Sequence, residues 1–105
     1  MASRKKSKQT AHDKAVERIA REHDQDGWRV RADIAGWSSP GTIAGRIPDV
    51  IATKTGSRRI IEVETDRSDD TRQHQKFRRH AGQKANTVFY GVIVDARGRR
   101  TDTFR

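Results

Sequence analysis

No stretch of this chain constrains its fold more than residues 46–65, RIPDVIATKTGSRRIIEVET. Ile47, Val50 and Ile51 supply strand character on one side, Ile60, Ile61 and Val63 on the other, and Thr55-Gly56-Ser57 between them is turn chemistry. A hairpin is the expected result. With Thr55 and Gly56 as the loop, Lys54 faces Ser57 and Asp49 falls opposite Glu62. Opposed residues share a face of the sheet, their side chains about 4.5–5.5 Å apart, and the period of two adds Glu64 to that face. A four-residue loop from Lys54 to Ser57 keeps this register. A three-residue loop slips it by one and sets Asp49 opposite Val63 instead. Turn length therefore decides whether three acids converge.

The flanking segments read as alternating helices and strands. Ala11, Ala15, Val16, Ile19 and Ala20 recur at helical spacing over residues 10–23, with Thr10 and Asp13 placed like the start of a capping box. Residues 28–34, WRVRADI, alternate as a half-buried strand should. Residues 36–46, GWSSPGTIAGR, hold three glycines, a proline and two serines and predict a long, mobile, functional loop. Trp37 within it suits either base stacking or packing. After the hairpin, Ser68 or Asp69 can cap a second helix reaching Gly82, with Phe77 and Ala81 toward the core. Residues 87–94, TVFYGVIV, are nearly continuous in β-formers, as suits a strand covered on both faces. Residues 95–98 turn the chain, and residues 100–104 add a short edge strand. One domain over residues 10–105 is expected, preceded by a disordered basic arm over residues 1–9, either a phosphate-touching arm or a solubilising tail.

The charge balance narrows the partners. Lys and Arg number 23 against 14 acids, giving +9, while 31% of residues are hydrophobic. A core this thin invites dimerisation. Sixteen of the 23 are Arg, the side chain best suited to bidentate phosphate contacts. Nucleic acid is the expected partner rather than a membrane, because no segment approaches the roughly 20 apolar residues of a span. The absence of cysteine excludes disulfides and thiolate metal sites. MASRKKSKQT lacks the apolar run of a secretory signal, so a cytoplasmic location is expected. No GxxxxGK loop supports nucleotide hydrolysis, and the four histidines share no spacing with the acids that predicts a zinc site.

In this basic setting the acids stand out, since two of only four glutamates lie in the hairpin. Opposed like charges destabilise a strand pair unless something offsets them. A divalent cation does so, and Mg²⁺ takes one or two carboxylates plus waters and phosphate oxygens. Glu64 could then orient or deprotonate a water. Solvation, or pairing with Arg46, Arg58 or Arg59, is the plain alternative.

The order of elements, with Pro48-Asp49 and then Glu62-Val63-Glu64 after twelve intervening positions, resembles the PD-(D/E)xK nuclease superfamily. That resemblance implies an α/β fold with an αβββαβ restriction-endonuclease-like core, a mixed sheet flanked by helices. It implies Asp49, Glu62 and the Val63 carbonyl as ligands of Mg²⁺, for which Mn²⁺ can substitute. It also implies an acid from the first helix, matched by Glu17, and an auxiliary residue on the second, matched by Gln75 or Lys76. The usual lysine of the second motif is replaced by Glu64, as in a minority of restriction enzymes. Small size, basic charge and the Gly/Ser-bearing loop before RIPDVIA look most like small Holliday junction resolvases, in which a loop serine, here Ser38 or Ser39, is used. The implied protein is a homodimeric Mg²⁺-dependent DNA endonuclease, with Arg72, Lys76, Arg78 and Arg79 on phosphates. The rivals are a noncatalytic nucleic-acid-binding module on a degenerate nuclease fold and a small basic RNA-associated protein.

Overall fold

The computed structural model describes the backbone of residues 6–65 and 71–105. Its elements follow the order α1 (Lys6–Gln25), β1 (Arg29–Ala32), β2 (Val50–Lys54), β3 (Ser57–Glu64), α2 (Thr71–Gly82), β4 (Thr87–Val94) and β5 (Arg100–Phe104). The result is an α/β fold with one five-stranded mixed sheet in the order β1-β2-β3-β4-β5. All neighbours are antiparallel except β3 and β4, which are parallel and joined through α2. None of the described helices is long and apolar enough to cross a membrane.

The hairpin takes the two-residue loop. Lys54 pairs with Ser57 and the ladder runs to Val50 against Ile61. Thr55 (φ 47°) and Gly56 (φ 82°) both have positive φ, the type I′ geometry whose twist matches that of the flanking strands. Glycine adopts such a φ freely, whereas β-branched threonine does so under strain.

The two helices cover opposite faces. Ala15, Val16, Ile19 and Ala20 of α1 form one core cluster with Ala32, Val50, Ile61, Val63, Val92 and Val94. Phe77 and Ala81 of α2 form the other with Ile43, Ile51, Ile60 and Phe89. β3 alternates between them, its odd positions toward α1 and its even positions toward α2, as the two-residue period requires.

Two departures from expectation have local causes. α1 starts at Lys6, so residues 6–9 of the expected arm are helical and Thr10 is no cap; Lys and Gln are good helix formers, and Gln9 is bonded to Asp13 at 2.8 Å. The loop over residues 36–46 is tied down: Ser38 O accepts from Ala32 N, Ile43 is buried, and Ile43 and Arg46 bridge around a tight turn. Trp37 packs against the α1 cluster, which selects packing from its two readings. The expected caps Ser68 and Asp69 lie outside the described residues.

Candidate metal centre

The register places Asp49 and Glu62 one step beyond the last ladder pair, at the end of β2. Their contact is intimate. Asp49 N donates to Glu62 Oε2 at 2.8 Å, and Val63 N donates to Asp49 Oδ2 at 2.8 Å. The interaction at Val63 is thus through its amide. Glu62 and Glu64, two apart on β3, share the α2 face and are 1% and 6% exposed. The acids expected to converge do converge: Glu62 and Glu64 are buried and Asp49 is half-buried, rather than solvated as on a surface patch.

α2 closes the site with two side chains. Gln73 Nε2 donates to Glu62 Oε1 at 2.6 Å, and His74 Nε2 lies 2.8 Å from Glu64 Oε1. Glu62, Glu64 and His74 each offer a ligand atom, and these atoms lie within 4.8 Å of one another. From the other face α1 contributes His12, whose Nε2 is 3.1 Å from Asp49 Oδ1 and whose Nδ1 is 3.0 Å from Asp13 Oδ1. The ring of His74 is backed in turn by Phe104 at 4.7 Å between centroids.

Several residues singled out by sequence lie elsewhere. Glu17 accepts from the Trp37 indole at 2.6 Å and pairs with Arg21, and these donors hold its carboxyl below the usual range. It is His12, one turn and a residue earlier, that α1 directs at Asp49. Gln75 and Lys76 are exposed on α2, while Gln73 makes the contact foreseen for an auxiliary residue. Arg72, Arg78 and Arg79 are exposed on α2, with Arg78 donating to the Arg105 carbonyl. Lys54 donates to Asp26 O, away from the acids. His12 and His74, which share no spacing with the acids, supply two of the site's side chains.

The facing acids dominate the electrostatics of the site. Burial, with the Asp49 charge beside it, pushes the Glu62 carboxyl up to about 10, so at neutral pH it holds a proton. That proton offsets the like-charge opposition, and a cation can displace it. The donor set of two carboxylates and an imidazole accommodates Mn²⁺ or another first-row ion, whereas an all-oxygen set of Asp49 and Glu62 suits Mg²⁺. No protein-family model matches the chain, and no curated protein matches it significantly.

Proposed function

We propose that this chain is a metal-dependent DNA endonuclease built on a restriction-endonuclease-like αβββαβ core, to which β5 adds an edge strand. One observation carries the reading: in a chain of net charge +9, buried Glu62, Glu64 and His74 gather with half-buried Asp49 at the end of β2 and β3. Burying acids side by side is costly unless the site exists to exchange a proton for a cation. The residues present fit such an ion, because Glu62 has a displaceable proton and offers an oxygen near ligand atoms of Glu64 and His74.

Asp49 and Glu62 would hold the ion, which supplies Lewis-acid polarisation of a phosphodiester and a more acidic water. The chain's own groups do the rest. Val63 N and His12 fix the Asp49 carboxylate, and Gln73 fixes that of Glu62. Glu64, oriented by His74, stands in place of the lysine and accepts the proton of the attacking water. A specific contact favours a second ligand set of Glu62, Glu64 and His74, with Mn²⁺ preferred over Mg²⁺. Exposed Arg72, Lys76, Arg78 and Arg79 are available to phosphates. A homodimer and a cytoplasmic location complete the proposal.

The test is incubation of purified protein with supercoiled plasmid and with a four-way DNA junction, in Mg²⁺, Mn²⁺ or EDTA. Nicking in either metal and none in EDTA is expected, and Glu62→Gln should abolish it while leaving DNA binding intact. Protein that binds DNA yet cleaves neither substrate in either metal is the noncatalytic module, and the enzyme reading then fails.

A further inference from the structure

Helix covers only half of the face of the sheet that carries Glu62 and Glu64; on the other half the loop over residues 36–46 seats Ile43 in the cluster with Ile51 and Ile60. α2 packs over β3 and β4 through Phe77 and Ala81, and among the described residues no helix lies over β1 and β2 on this side. An open cleft of about 790 Å³ occupies that half, and its lining includes Arg29, Arg31, Pro40, Ile51, Thr53 and Arg58.

The register orders these side chains into rows. Arg29 opposes Thr53, which opposes Arg58; Arg31 opposes Ile51, which opposes Ile60. The next row along β2 and β3 holds Asp49 and Glu62. Rows on one face repeat every ~6.7 Å along the strands. Arg31 therefore stands one row from the acid pair, and Arg29 with Arg58 two rows away. These guanidiniums are not neutralised: among the described residues none is ion-paired with a carboxylate, and the one hydrogen bond of Arg31 goes to the Ser39 carbonyl. On the opposite face, by contrast, Arg59 stacks on Trp28 at 4.2 Å. Burial first, and then Arg58 and Lys84, each near enough to His80 to act on it, push the His80 imidazole down, so the positive potential extends beyond the cleft.

We propose that the helix-free β1–β2 half of this face, beside the Ile43 loop, is the track on which a nucleic-acid backbone lies, its phosphates held by Arg29, Arg31 and Arg58. The track runs along β1, where Arg31 is exposed, toward the row of Asp49 and Glu62, while Ile51 and Ile60 in the Arg31 row are buried with Ile43. Its occupant follows from charge complementarity: three arginines in two rows on an open surface match a repeating, planar-faced anion that each can grip bidentately. The track rests on the nuclease reading for the identity of the polyanion, and it assigns the principal phosphate contacts to the sheet rather than to the exposed side of α2.

Binding separates the two claims because it is measured in EDTA, where no cleavage occurs. A short fluorescein-labelled DNA duplex is titrated by anisotropy between about 50 and 200 mM salt, the range over which phosphate contacts show as a slope of about −0.9 each. The double variant Arg29→Gln/Arg31→Gln should lower the log-log salt slope by about 2. A matched control, Arg97→Gln/Arg100→Gln, removes the same charge from the β4–β5 end and should leave the slope within about 0.5 of wild type. Both pairs are exposed, so circular dichroism and melting should be unchanged. An unchanged slope in the first variant, or an equal fall in the control, overturns the track. So does equally effective competition by anionic phospholipid vesicles at matched phosphate, which marks a general anionic surface. Loss of slope without plasmid nicking by wild type leaves the track standing and removes the nuclease.

Discussion

Glu62 is a buried acid whose proton is held in the folded chain and released in the unfolded one. Its carboxyl lies near 4.5 when unfolded and about 10 when folded, with burial the first cause and Asp49 the second. Between those values the folded state binds the extra proton, so stability falls as pH rises, by up to about 1.4 kcal/mol per unit. Glu62→Gln keeps the shape and one of the two accepted bonds, from Gln73 or from Asp49 N, while removing the titration. We expect metal-free Glu62→Gln to melt higher than wild type near pH 9 and to show a flatter profile from about pH 6; parallel profiles would refute the assignment. His74 offers a second check. Whether it binds the ion or only orients Glu64, His74→Ala should weaken Mn²⁺ affinity about 10–100-fold by calorimetry. That His74 matters was legible in principle. With Phe77 and Ala81 facing the core, positions three and four before Phe77 share their face, which selects His74 and Gln73 and turns Gln75 and Lys76 outward. The same rule applied to Ala15 and Val16 selects His12 over Glu17. Spacing among the histidines carried no such information, because their partners are on other elements.

Elements are legible where local chemistry decides them. The Thr55-Gly56 loop and the alternation of β3 set the Asp49–Glu62 register before any tertiary contact is considered, and the β-former run over residues 87–94 gives β4 its full extent. What local chemistry leaves open is what covers each face, hence the tied-down loop over residues 36–46 and the Phe104 ring behind His74. Two substitutions probe these elements. Thr55→Asn places at a φ of 47° a residue that tolerates it, and should stabilise by about 1 kcal/mol, raising the melting temperature by about 4–8 °C. Gly91→Ala works in the opposite direction. A Cβ there would lie 2.0 Å from Phe104 Cζ, so the ring that backs His74 must leave. A loss of about 1–3 kcal/mol is expected. In a double-mutant cycle, Gly91→Ala should cost little once Phe104→Ala has emptied the space; additive losses would show that the ring is not the obstacle.

At the scale of the whole molecule, the charge distribution opposes itself. A chain of net charge +9 repels itself throughout, yet it concentrates Asp49, Glu62 and Glu64 at one end of the sheet. Ordinary salt relieves the general repulsion by screening, over a Debye length of about 8 Å at physiological strength. A site-bound divalent ion acts differently, because it binds the folded chain and not the unfolded one. At a hundredfold excess over its dissociation constant such an ion contributes about 2.7 kcal/mol, which for a domain of this size raises the melting temperature by on the order of 10 °C. Measured in a fixed background of about 150 mM salt, Mn²⁺ should produce that rise in wild type and almost none in Glu62→Gln. The rise should also grow with pH, since above neutrality less work is needed to displace the Glu62 proton. Equal shifts in the two proteins would mean that the ion serves as a general counterion, and that the acids at the end of β2 and β3 do not form a metal centre.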